Sequence, residues 1–341
     1  MNAAKVALLG TGNVGRAVMA RLDRWEGRGP GGRLQLAVVA NTRSLQLLAG
    51  TGVGQGARAN DGDRAQAAVR ALGARGPRIV VDATACDAVA ARHADWLADG
   101  VHVVTACKLG QGAALARWRA IRAASARAGT RYGDSATVGA GLPLLRTIRA
   151  LRDGGDRIHG IAGVLSGSLA WLLSHYDGRR AFADLVEEAR ALGYTEPDPR
   201  VDLSGEDVRR KLLILARAAG VALEPADVEV RPLAAAELDA AFAEAVARGG
   251  VLRHVARLAC GDGDGPVSAR VGLEVLAADD PLAAGTGTDN RVAIRSDRYP
   301  LQPLLIQGPG AGAEVTAAAL LDDALDIAGT AAPAGAALST R

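Results

Sequence analysis

Cysteine is nearly absent: Cys86, Cys107 and Cys260 are the three in 341 residues. They are too few and too scattered for a disulfide framework or a Cys-x-x-Cys metal site, so a reducing compartment, by default the cytoplasm, is the expected home. An excess of one charge is missing too. The 40 basic and 37 acidic side chains leave a formal charge of +3, which gives no nucleic-acid footprint. No apolar stretch approaches the roughly 20 residues that a bilayer span requires. The first apolar run, Val6 to Leu9, stops at Gly10, too short for a secretory leader. The five histidines show no metal-ligand spacing. What remains, 49% hydrophobic and 23% charged, is an ordinary globular composition, and at roughly 150 residues per domain the length predicts two domains.

Lysine is as scarce as cysteine. Only Lys5, Lys108 and Lys211 interrupt a basic set that is otherwise arginine. The Ala, Gly and Arg richness of the whole chain accounts for this, and such a bias is blind to function. Arginine stays protonated at all working pH values, whereas lysine can give up its proton, so a position that needs acid or base chemistry cannot accept arginine. The retained lysines are therefore the first candidates for chemistry.

Residues 5–42 read as strand, tight turn, helix and strand. Further strands follow at Arg78 to Ala83 and Val101 to Thr105, with helices around Asp95 to Leu97 and over 112–128. The alternation predicts an α/β fold, a doubly wound parallel sheet. The glycine-rich stretches 27–32 and 50–62 read as loops. The pattern changes near Asp134. Beyond it lie a strand near Ile158 to Leu165, a helix from Ser168, an acidic loop over 193–204, a helix over 205–219 and then a short helix followed by several strands.

Gly10-Thr-Gly12-Asn13-Val14-Gly15 follows a strand and opens a helix, the setting in which this spacing binds a dinucleotide. The glycines permit a tight turn, close approach to a pyrophosphate and close helix packing, and the helix start attracts the phosphates. An NAD site usually has an acid after the second strand. Here the segment is Ala40-Asn41-Thr42-Arg43, which favours NADP, with Arg43 against a 2′-phosphate; a solvated loop arginine is the alternative.

The acidic loop ends in Asp202-Leu-Ser204-Gly-Glu-Asp207-Val-Arg-Arg-Lys211. Ser204 and Asp207 have capping-box spacing, and Asp207 and Lys211 share a helical face at i and i+4. A surface ion pair is the plain reading, but the retention of lysine directly after two arginines suggests a required ammonium. Lys108 stands just past the carboxyl end of a parallel strand, where ligands of such sheets bind.

Together with Val80-Val-Asp-x-Thr84, Val138-Gly-Ala140-Gly-Leu142-Pro, Leu165-Ser-Gly167-Ser168, Gly193-Tyr194-Thr-Glu196-Pro-Asp-Pro and Gly310-Ala-Gly-x-x-Val-Thr, these segments resemble homoserine dehydrogenase over nearly the whole chain. The resemblance implies NAD(P)H-dependent reduction of L-aspartate 4-semialdehyde to L-homoserine. It implies a Rossmann nucleotide domain at 1–134, an α+β substrate-binding and dimerisation domain at 135–308 that makes a homodimer, a returning nucleotide-domain helix at 309–330 and a frayed tail at 331–341. Lys211 and Lys108 would be catalytic, which of them is the principal acid being left open. Glu196, Asp202, Asp207, Tyr194, Gly167 and Ser168 would bind substrate, and the glycine turn, Arg43, Thr84, Lys108 and Gly310 the coenzyme. A sodium ion would sit on the carbonyls of Val138, Ala140 and Leu142, although Ser135 stands where relatives often carry an acid. Neither a regulatory domain nor a fused kinase is expected. The competing readings are another two-domain amino-acid dehydrogenase, such as one acting on aspartate, and a non-enzymatic NADP sensor.

Overall fold

The computed structural model describes residues 3–25, 32–48, 53–54, 61–261, 265–285 and 287–330. The expected tail at 331–341 and most of the two glycine-rich stretches lie outside them. The chain forms two compact units, Met1–Gly110 with Ala116–Thr137 and Gly312–Arg341, and Gln111–Leu115 with Val138–Ala311. The sequence reading puts these cuts at 134 and 308.

The first unit contains β1 (Ala4–Leu9), α1 (Asn13–Arg24), β2 (Leu34–Ala40), β3 (Leu45–Leu47), β4 (Val53–Gly54), α2 (Asp61–Ala71), β5 (Arg78–Asp82), α3 (Asp87–Ala90), α4 (His93–Ala98), β6 (His102–Thr105), α5 (Leu115–Ala128), β7 (Tyr132–Gly133) and the last helix α12 (Ala313–Thr330). Its sheet runs β4-β3-β2-β1-β5-β6-β7. From β2 to β7 the pairing is parallel, while β3 and β4 add an antiparallel edge that the sequence reading lacks. Apolar residues fill both faces of the strands because helices cover both faces. Val6, Leu8, Ile79 and Val81 face α1 and α12, while Ala7, Leu9 and Val80 face α2 and α4. Strand order reverses at β1, between β2 and β5, so a crevice opens beyond the carboxyl ends of β1 and β5.

The second unit holds α6 (Leu144–Asp153), β8 (Ile158–Val164), α7 (Gly167–His175), α8 (Phe182–Ala191), α9 (Pro199–Leu203), α10 (Glu206–Ala218), β9 (Val228–Val230), α11 (Ala235–Ala247), β10 (Val251–Cys260), β11 (Val267–Leu276), β12 (Asp289–Ser296) and β13 (Tyr299–Pro309). Its sheet, β13-β12-β8-β10-β11-β9, is antiparallel except for the short β9. Helices α6 and α10 bury Leu145, Ile148, Leu212 and Leu215 against Ile161, Leu258 and Ile294 of one sheet face. A stretch of loop and short helix, 193–205, thus delivers the acidic segment to α10, a helix anchored in the core. Among the described residues no helix is long and apolar enough to cross a membrane.

Candidate active site

In the first unit, the three glycines of the turn do three different jobs. Gly10 has φ +95°, and a Cβ there would come within 2.9 Å of the Ala83 carbonyl oxygen. A Cβ on Gly15 would collide with the Gly10 carbonyl, so this glycine lets α1 pack against the turn. Gly12 has no atom within 4 Å of its Cβ direction and begins α1 without a side-chain cap. Open space and unbonded helix-start amides are what an approaching phosphate needs. Around the turn lies a cavity of about 540 Å³ lined by Gly10, Thr11, Gly12, Arg43, Thr84 and Cys86, among others. Asn13 and Val14 continue from its wall into α1.

The loop after β2 is organised by Asn41. Its side-chain oxygen accepts the backbone N–H groups of Arg43 and Ser44, both at 2.8 Å, and its amide donates to Thr11 Oγ1 at 3.0 Å. Arg64 on α2 also lines the cavity and donates to the Thr42 carbonyl at 2.6 Å. Sequence reasoning missed Arg64, because one arginine in an arginine-rich chain carries no signal. The geometry fits a dinucleotide. Lys108 lies in the turn after β6 and is not part of the cavity lining.

In the second unit, Lys211 Nζ sits 2.9 Å from Asp207 Oδ2 and donates to the Leu165 carbonyl at 2.7 Å. Its side chain is 12% exposed and that of Asp207 42%, so the ammonium is the shielded end of the pair. Leu165 lies two residues before α7, whose first turn holds Gly167 and Ser168, and a Cβ on Gly167 would press within 2.8 Å of the Thr288 carbonyl oxygen. Asp202 ties the acidic loop to that turn. One of its oxygens accepts the Ser168 hydroxyl at 2.8 Å, and the other accepts the Glu196 N–H at 2.8 Å. The Ser168 hydroxyl also contacts the Tyr194 carbonyl at 2.7 Å, and the Tyr194 ring leans on Trp171 with centroids 5.4 Å apart. Tyr194, Glu196, Asp202 and Ser168 are thus linked through these bonds, with Gly167 next to Ser168 in the chain, while Lys211 and Asp207 form a second group with the Leu165 carbonyl. The Leu165 carbonyl and Trp171 were not foreseen, the former because a backbone acceptor has no residue signature.

The expected capping box is not formed. Gly205, at φ +74°, is the N-cap of α10, and the Ser204 hydroxyl accepts the Glu206 N–H at 3.3 Å. Asp207 instead serves Lys211. A Cβ on Gly310 would collide with the Asn290 side-chain amide, which would have to move for a larger residue to fit.

Val138, Ala140 and Leu142 lie on the turn before α6, with Ala140 at φ +50°. The Leu142 carbonyl already accepts the Leu144 N–H at 2.8 Å. Ser135 turns away to Asp323, at 2.8 Å. No cluster of His, Cys, Asp or Glu suited to a metal occurs among the described residues.

A sequence profile described as homoserine dehydrogenase matches residues 143–325, more than half of the chain. The chain belongs to the homoserine dehydrogenase family. A second profile, described as the NAD binding domain of homoserine dehydrogenase, matches residues 10–133. The maize bifunctional aspartokinase/homoserine dehydrogenase 2 is 40% identical over 271 residues, 74% of this chain but only 29% of its own length. The homoserine dehydrogenase of Emericella nidulans is 35% identical over 283 residues, covering 74% of this chain and 76% of the relative. The crystal structure of a homoserine dehydrogenase from Thiobacillus denitrificans superposes with a TM-score of 0.72 at 26% identity, over 95% of this chain and 73% of that one. The first-ranked curated relatives are thus more than three times as long as the matched region.

Proposed function

We propose that the chain reduces L-aspartate 4-semialdehyde to L-homoserine with NADPH. The observation that carries this reading is the Lys211 ammonium fixed by Asp207 and the Leu165 carbonyl beside the Asp202-tied loop. An ammonium has three N–H donors, and two are directed to these partners; the third points the proton at the aldehyde oxygen. A nicotinamide coenzyme, when bound, would supply the hydride for the aldehyde carbon. As that carbon is reduced, charge builds on its oxygen, and Lys211 Nζ stabilises the charge and passes over its proton to give the alcohol. In the reverse direction neutral Lys211 takes the alcohol proton. Asp207 holds the amine in place, and Glu196, with its own carboxylate uninvolved in the loop tie, receives the substrate ammonium. Tyr194, Gly167 and Ser168 line the pocket. Asp202 acts through Ser168 and Glu196.

The coenzyme's pyrophosphate belongs on the Gly10–Gly15 turn, with Thr84 and Lys108 toward its nicotinamide end. Arg43, with Arg64 near it, receives the 2′-phosphate, since the loop offers Asn41 rather than an acid and Asn41 is occupied within the loop. No step passes through a sodium ion. Two copies would pair through the second sheet's face bearing Ala162, Arg257, Ala293 and Arg295, continued by the 89% exposed Leu301; sedimentation as a monomer would overturn that assignment. The three free cysteines suit a reducing cytoplasm. The decisive experiment follows NADPH absorbance with L-aspartate 4-semialdehyde, and NADP reduction with L-homoserine. Turnover in both directions is expected, and its absence in a folded preparation overturns the proposal.

A further inference from the structure

Asp82 ends β5 with a carboxylate that is 0% exposed. Burying an ionised carboxylate is costly unless every lone pair finds a donor. Here four donors converge. Oδ1 accepts the Thr84 N–H at 2.9 Å and the Thr84 hydroxyl at 2.7 Å. Oδ2 accepts the Thr105 hydroxyl at 3.2 Å and meets His93 Nε2 at 3.0 Å. Because the carboxylate only accepts, His93 carries its proton on Nε2. The other ring nitrogen faces the Tyr132 hydroxyl at 2.9 Å. Desolvation pushes the Tyr132 phenol well above its usual value, so it keeps its proton beside the His93 ring.

Two arms of this network end beside Lys108. Through one, the Thr105 hydroxyl accepts the Cys107 N–H at 2.8 Å. Through the other, Tyr132 and His93 press on Gly110 so closely that a Cβ there would collide with the phenol oxygen. Between them Arg117, paired with Asp87 at 2.6 Å, donates to the Leu109 carbonyl at 3.0 Å. A third arm reaches the coenzyme cavity, where Thr84 is part of the wall.

We propose that Asp82, His93, Tyr132 and Thr105 are positioning residues that set Thr84 and Lys108 against the coenzyme. This rests on the reading of those two residues as coenzyme contacts. The buried carboxylate is retained at the strand end because a single rigid acceptor fixes the turns after β5 and β6 together, and a misplacement of about 1 Å costs up to 10²-fold in rate.

The test pairs Thr105→Val with Thr105→Ser in the full chain, with NADPH affinity read by fluorescence titration and kcat and KM by turnover. The valine removes the acceptor for Cys107 N–H; the serine keeps it. Thr105→Val is expected to weaken NADPH about 10-fold and to lower kcat as much, with the homoserine KM unchanged. Thr105→Ser restores both. In a Lys108→Ala background the kcat effect of Thr105→Val disappears, because it acts through Lys108. Asp82→Asn, if it folds, shows the same pattern with a larger loss of NADPH affinity. Equal behaviour of valine and serine, or additive losses with Lys108→Ala, would overturn the proposal. The titration needs no turnover, so a chain that separates valine from serine in binding yet fails to oxidise homoserine refutes the reaction and leaves the positioning set standing.

Discussion

Replacing Lys211 by methionine keeps the aliphatic stem and deletes the ammonium. Two bonds are lost, to Asp207 and to the Leu165 carbonyl. Asp207 is 42% exposed and takes up water when its partner leaves, so the broken pair costs about 1 kcal/mol, and the part-buried carbonyl about as much again. Against a usual stability of about 5–15 kcal/mol the variant folds. The catalytic loss is larger. A positioned acid contributes about 10²–10⁴-fold, or about 3–5 kcal/mol of barrier, so kcat for homoserine oxidation should fall by that factor. NADPH affinity should not move, since the glycine turn is untouched. Lys211→Arg retains the charge but cannot release its proton, and it should recover little. Initial rates and a fluorescence titration on protein checked by circular dichroism provide the measurement. A methionine or arginine variant turning over within threefold of the parent would refute the assignment.

Gly12→Ala meets no protein atom, so it should melt like the parent while binding NADPH at least about 10-fold more weakly; an unchanged affinity would mean that no phosphate approaches there. Arg43→Ala, and separately Arg64→Ala, should lower the ratio of kcat/KM for NADPH to that for NADH by about 10-fold or more, and a constant ratio would remove the 2′-phosphate contact. Asp202→Asn places an amide against the Glu196 N–H and should raise the homoserine KM about 10-fold with NADPH binding unaltered; a shift in NADPH affinity instead would contradict its role. His254 is 2% exposed, and burial lowers its pKa to about 4. The unfolded chain protonates this residue near its ordinary value of about 6.5. Its contribution to stability is therefore complete above that pH and is lost as pH falls toward 4, by up to about 3 kcal/mol. His254→Leu should flatten that acid limb in denaturant titrations, and a superimposable pH profile would exclude the residue as its cause.

The first unit was legible because its signals are local. Leu34–Ala40, apolar except for Gln35, reads as a strand, and it is one over those residues. The glycine spacing betrayed the turn, since steric demands of a backbone can be met by one residue type. Asp207 and Lys211 were legible as a pair from helical spacing, and Lys211 as a candidate from the scarcity of lysine. Illegible features depend on partners distant in the chain. Leu165 offers Lys211 a carbonyl that any residue would supply. Asp82 looked like part of a family motif, and only the fold brings His93, Thr105 and Tyr132 to it. The acidic loop conceals α9, although Asp198, which accepts the Arg200 N–H at 3.1 Å, and Pro199 are a helix start in miniature. Ser204 and Asp207 have the spacing of a cap, but a nearby ammonium outcompeted the backbone for the carboxylate. Three-residue β3 is too short for periodicity to register.

Asp202 has a bearing on redesign. Since it grips Ser168 with one oxygen and the Glu196 backbone with the other, the loop's shape owes nothing to the side chain of Glu196. Glu196 can then be exchanged for neutral, shorter or basic residues without unlacing the pocket. A library confined to that one position, with Asp202 left alone, offers an economical route toward aldehydes that carry something other than an ammonium group.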